Sequence, residues 1–196
     1  MMDAFDRLLK ETHKVCTSHP DLRAFCDVPA GLTRQDMVAA DHPVRSLMEA
    51  DPGTTDATYA PLRDAFVAAG PTALWRQTYR DTGIDAQFLD RFGCYALVGG
   101  GGAFAASDFS AFVVYMPAGL HYPWHHHPAE EIYLVIAGHA TFSAKGRAAE
   151  KLRPGQTSFH ATNQPHAMTT TDSPVMALVM WRGDLMTKPV WSAELP

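Results

Sequence analysis

The sequence predicts a mainly β protein with α: an antiparallel barrel or jelly roll, preceded by a helical N-terminal region packed on one side of it. Three observations carry that expectation. Over the first ninety or so residues, apolar side chains recur at helical spacing. From residue 93 onward, short apolar runs alternate with turn signals every roughly 8–12 residues, the pattern of an antiparallel β architecture. And seven of the ten histidines fall between His121 and His166, a clustering that asks for a chemical reason.

The elements follow in chain order. Met2, Phe5, Leu8, Leu9, Thr12 and Val15 define an amphipathic helix over 2–16. Residues 20–57, rich in Pro, Asp and Thr, are expected as loop with one helix near 43–50. Leu62, Ala65, Phe66 and Ala69 predict a helix over 60–69, with Pro61 in its first turn and Gly70-Pro71 ending it. Leu74, Trp75, Thr78 and Tyr79 suggest a short helix, and Ile84, Phe88 and Leu89 another. Strands are expected at 94–98, 109–116, 131–137, 139–144, 156–160, 166–171 and 175–181. The glycine run 99–102 lacks the Lys-Ser/Thr of a phosphate loop and is expected as a connection between strands. With no internal repeat, residues 1–92 are expected as a helical region of the same domain as a barrel over 93–196.

Charge and composition narrow the function classes. A formal net charge of −5 and the absence of a basic run give no electrostatic footprint for nucleic acid or an anionic membrane. The N-terminus lacks the basic start and apolar run of a signal peptide, and no stretch approaches the ~20 apolar residues of a membrane span. The cysteines are Cys16, Cys26 and Cys94, an odd number without CxxC spacing. A reduced, cytoplasmic protein is expected.

The chemistry concentrates between Gly119 and Gly138. In a strand, residues two apart face the same way, so His125 and His127 share a face. A turn at Pro128-Ala129 returns the chain, and Glu131 and Tyr133 then share a face, while Ile132, Leu134 and Ile136 point to the other side. Two imidazoles and a carboxylate from one hairpin make three legs of a metal site, and His166, following Pro165, supplies a fourth, with His160 its competitor. A glutamate inside a small barrel is costly unless paired or coordinated. Imidazole and carboxylate together suit one divalent transition metal ion: Fe, Zn, Mn, Co or Ni. His126 and Glu130 alternate outward, His121 and His160 stand between a supporting place and the surface, and His139 is expected to be structural. Tyr133, on the Glu131 face, and Tyr122, at the barrel mouth, are candidate functional tyrosines; Trp124 and Trp181 are core or pocket wall.

These residues resemble the cupin superfamily. Its first motif, G-x5-H-x-H-x3-E-x6-G, is matched by Gly119, His125, His127, Glu131 and Gly138, and its second loosely by Pro154-Gly155 and His166. More narrowly, Tyr122-x-x-His125-x-His127-Pro-Ala-Glu-Glu131-x-Tyr133, with Trp124 beside it and a helical N-terminal half, is similar to the cupin-type dimethylsulfoniopropionate lyases of the DddQ kind. The resemblance implies β-elimination of dimethylsulfoniopropionate (DMSP) to dimethyl sulfide and acrylate. It implies a metal on His125, His127, Glu131 and His166, and catalytic tyrosines at Tyr133 and Tyr122, with Tyr133 taken as base and Tyr122 as its alternative. The sulfonium would meet the aromatic faces of Trp181, Trp124 and Tyr122. The expected partner is the small substrate, with no nucleic acid or membrane, and a homodimer left open. Competing readings are another metal-dependent cupin enzyme, a dioxygenase or isomerase, and a non-enzymatic metal- or ligand-sensing cupin.

Overall fold

The computed structural model describes residues 3–76, 78–80 and 82–192. Helix α1 (Ala4–Ser18) begins where the Asp3 carboxylate accepts the Phe5 N–H at 2.9 Å, and it buries Phe5, Leu8, Leu9, Thr12, Val15 and Cys16. The expected start at Met2 lies outside the described residues. Helices α2 (Pro20–Phe25), α3 (Pro43–Ala50) and α4 (Ala60–Ala69) follow. Each of these three has proline in its first turn, where a missing N–H costs nothing. Helix α2 was expected as loop. After strand β1 (Trp75–Arg76) comes α5 (Ala86–Arg91).

The remaining strands are β2 (Gly93–Val98), β3 (Phe109–Met116), β4 (His121–His126), β5 (Glu130–Gly138), β6 (Ala140–Ala144), β7 (Glu150–Leu152), β8 (Thr157–His160), β9 (His166–Thr169), β10 (Val175–Arg182) and β11 (Val190–Trp191). They form two antiparallel sheets, ordered β1-β2-β3-β10-β5-β8 and β11-β4-β9-β6-β7, a jelly roll with helices laid over it.

Two apolar layers hold this together. One joins Phe5, Leu8, Leu62 and Phe66 of the helices to Tyr95, Ile132, Leu134, Ile136, Leu178 and Met180 of the six-stranded sheet. The other lies inside the barrel and gathers Phe112, Tyr133, Val135, Phe142, Met168 and Val179. The six-stranded sheet is therefore covered on both faces. Its strands read as continuous apolar runs for that reason, and the period of two survives only in which layer each residue enters. Alternation along β5 sends Ile132 and Leu134 to the helices and Glu131 and Tyr133 into the barrel.

Further details differ from expectation. The segment expected as a helix near Leu74–Tyr79 holds instead strand β1, pairing Trp75 with Tyr95 and Arg76 with Cys94. Few apolar positions fit either period there, and the open edge of β2 takes the backbone. Strand β4 also ends at His126, so His127 stands on the turn rather than on the strand. The last motif glycine has a steric reason: Gly138 has φ +67°, and a Cβ there would lie 1.7 Å from the Pro174 carbonyl oxygen. Among the described residues, no helix is long and apolar enough to cross a membrane.

Candidate metal centre

The barrel interior gathers the predicted ligands from four places in the chain. His125 on β4 lies directly across from His166 on β9. Glu131 on β5 faces His160 on β8 and Trp181 on β10. His127 comes in from the turn. All four expected ligands are at most 2% exposed.

The three histidines share one arrangement. His125 Nδ1 lies 2.8 Å from the Pro123 carbonyl, His127 Nδ1 3.0 Å from that of Ala129, and His166 Nδ1 2.8 Å from that of Gln164. A carbonyl can only accept, so each Nδ1 carries the proton and each Nε2 presents a lone pair. The Nε2 atoms of His127 and His166 lie 3.5 and 3.1 Å from Glu131 Oε2, yet both are buried without a hydrogen-bond partner. Lone pairs facing a carboxylate at that range repel unless a cation lies among them. Donor atoms of His125, His127 and His166 all lie within 4.8 Å of one another, as do those of Glu131, His160 and His166. The donor set thus fits one divalent ion.

A proton on His127 can balance the same Glu131 charge. Burial alone would push the Glu131 carboxyl up, but His127, His160 and His166 hold it well below the usual carboxylate range. Burial and the neighbouring His166 push His125 well below an ordinary histidine, so it is neutral and ready to ligate. Burial pulls His127 down as well, but Glu131 outweighs it and the net shift is upward.

Glu131 is held by more than the ligands. Trp181 donates its indole N–H to Oε1 at 2.6 Å and stacks on His127, with ring centroids 4.2 Å apart. His160, whose place the sequence left open, is buried and donates from Nδ1 to Oε2 at 2.9 Å.

Above the cluster lies a cavity of about 410 Å3, lined among others by Tyr79, Phe112, Tyr122, Tyr133, Val179 and Trp181, together with His125, His127 and Glu131. Tyr133 enters it from the Glu131 face of β5; burial first, then the Glu131 charge, keeps its phenol well above the usual range in the metal-free protein. The Tyr122 ring stacks on His125 at 4.0 Å, and its hydroxyl pairs with that of Tyr79. Tyr79 was expected only as a helix residue. Helical apolar spacing says nothing of a hydroxyl, and no sequence signal ties Tyr79 to Tyr122.

Not every candidate reaches the cavity. Trp124, expected as core or pocket wall, is half-buried and absent from the lining; its carbonyl accepts the Ser192 N–H at 2.8 Å. His121 bonds Thr169, His126 bonds Ser192, His139 pairs with Asp172 and Glu130 with Arg182, all away from the cluster.

Jelly roll and buried His/Glu group together define a metal-binding cupin. A family model described as dimethylsulfoniopropionate lyase matches residues 20–177. The chain belongs to the dimethylsulfoniopropionate lyase family, and so to the carbon–sulfur lyases. It is 50% identical over 187 residues to the dimethylsulfoniopropionate lyase DddQ of Ruegeria pomeroyi, covering 95% of this chain and 93% of that one. The crystal structure of DMSP lyase DddQ from that organism superposes with a TM-score of 0.93 at 49% identity, over 96% of each chain. A second solved chain, from the DMSP lyase structures named RdDddP and RnDddQII, has a TM-score of 0.93 at 39% identity, covering 97% of this chain and 98% of that one.

Proposed function

We propose that this chain cleaves DMSP to dimethyl sulfide and acrylate by β-elimination, with His125, His127, Glu131 and His166 as metal ligands and Tyr133 as base. The observation that carries this reading is the convergence of His125, His127, Glu131 and the Tyr133 ring on one aromatic-walled cavity, with His166 directly across from His125, in a chain half identical to a DMSP lyase. A divalent ion held there, whether Fe, Zn, Mn, Co or Ni, would act as a Lewis acid toward the substrate carboxylate and favour phenolate at a neighbouring tyrosine.

The protein side of the reaction is then as follows. Tyr133 Oη takes the proton from the carbon α to the carboxylate. The C–H electron pair becomes the C=C bond of acrylate, the β-carbon–sulfur bond breaks, and dimethyl sulfide leaves as a neutral molecule. The proton on Tyr133 passes to solvent before the next turnover. Glu131 is committed to the ligand set and to its Trp181 and His160 donors, which leaves the base role to a hydroxyl. Trp181 and Tyr122 line the cavity and offer cation–π attraction to the sulfonium.

The test is a pair of variants assayed for dimethyl sulfide and for bound metal. Tyr133→Phe should keep metal and fold but lose ~10²–10⁴ in turnover, the usual cost of a positioned general base. Tyr122→Phe keeps its ring over His125 and should retain more activity. The reverse ranking would move the base role to Tyr122.

A further inference from the structure

Three groups in a row, Ser158, His160 and Glu131, remain to be explained. Ser158 Oγ lies 3.0 Å from His160 Nε2, and His160 Nδ1 lies 2.9 Å from Glu131 Oε2. The order serine–histidine–carboxylate is that of a hydrolytic triad. Yet Ser158 is buried and is not among the cavity-lining residues, so its oxygen has no substrate to attack. The row is read more consistently from the other end.

We propose that Ser158 and His160 are positioning residues that fix the Glu131 carboxylate for metal binding, an inference that rests on Glu131 being a ligand. An ionised carboxylate can only accept, so His160 must carry its proton on Nδ1. Its Nε2 is then an acceptor, and the Ser158 hydroxyl must donate to it. Glu131 thus fixes the tautomer, and Ser158, donating to Nε2, holds the ring at the angle that aims Nδ1–H at Oε2 while Trp181 holds Oε1 at 2.6 Å. Each carboxylate oxygen has one fixed donor, which sets the plane of the group and leaves its other lone pairs toward the Nε2 atoms of His127 and His166. His160 also stacks on His166, with centroids 3.9 Å apart and ring planes 21° apart, so one side chain orients two ligands. With both nitrogens engaged, His160 is a support and not the fourth ligand. Outer hydrogen bonds of this kind typically contribute ~10–100-fold to metal affinity.

Removing the Ser158 hydroxyl leaves Nε2 of the buried His160 without its donor and frees the ring to turn. Its Nδ1–H would then be aimed less squarely at Oε2, and Glu131 would lose its fixed orientation. The experiment is a Co(II) titration of the full chain stripped of metal, read by the visible absorption of bound cobalt, with melting temperature as a control on folding. Ser158→Ala should weaken cobalt binding ~10–100-fold and change the spectrum, with melting little altered. Ser158→Thr should restore binding to within a few-fold. His160→Asn keeps an N–H toward Glu131 but offers Ser158 no ring nitrogen, so Ser158→Ala should have little further effect in that background. The proposal is overturned if Ser158→Ala binds cobalt as wild type does, or if its cost is the same with Asn at 160. A wild-type chain that binds no cobalt would remove the ligand reading itself, a failure distinct from either.

Discussion

At the scale of single residues, Glu131 is the pivot. It is a buried anion whose charge is tolerated because three imidazoles and an indole N–H surround it. Trp181→Phe tests that environment, because it keeps an aromatic ring over His127 and removes only the donor to Oε1. A hydrogen bond to a charged acceptor contributes about 1.5–3 kcal/mol. Metal dissociation measured by competition with a chromophoric chelator should therefore show affinity falling at least ~10-fold, with unchanged circular dichroism. Unchanged affinity would mean that Trp181 serves the cavity wall alone. The sequence showed part of this site. Strand parity was enough to place His125, Glu131 and Tyr133 on the inner side, because it depends on neighbours two residues apart. The contacts of Glu131 with His160 and Trp181 were not legible. They arise from cross-strand register between β5, β8 and β10, over sequence separations that no local period encodes. Tyr79 escaped for the same reason.

At the scale of elements, legibility followed length and burial. Long periodic segments such as α1 and α4 and the runs of β3, β5 and β10 appear where expected. Short edge elements do not: β7 and β11, of three and two residues, carry too few side chains to show a period. Strand β1 is decided by its partner β2 rather than by its own residues. Helix α2 had a usable signal, proline at its first position followed by Asp21, masked by the loop-like composition around it. We propose that residues 1–92 form one folding unit with the barrel, on the ground that α1 and α4 share an apolar layer with β2, β5 and β10. Phe66 on α4 is fully buried in that layer. Phe66→Ala should lower unfolding free energy by about 3–5 kcal/mol, measured by denaturant titration. One cooperative transition should persist, with cobalt stoichiometry unchanged below it. Two separate transitions, one helical and one β, would contradict the shared unit.

At the scale of the whole molecule, the fold separates structural and chemical duties. Helices cover the outer face of the six-stranded sheet, which frees its inner face, with the second sheet, to enclose polar ligands among aromatic walls. Cys16, Cys26 and Cys94 are free thiols, and burial pushes Cys16 up to about 12 and Cys26 to about 11, so neither competes as a thiolate near neutral pH. The central claim is that this interior is a metal-dependent lyase site for DMSP. Its most direct test is the joint release of dimethyl sulfide, by headspace gas chromatography, and acrylate, by liquid chromatography, from the purified chain fed DMSP. The metal-loaded protein should release the two in equal amounts, fall to background when stripped by a chelator, and recover when the metal is restored. No dimethyl sulfide from the loaded protein, or undiminished release from the stripped one, would contradict the account.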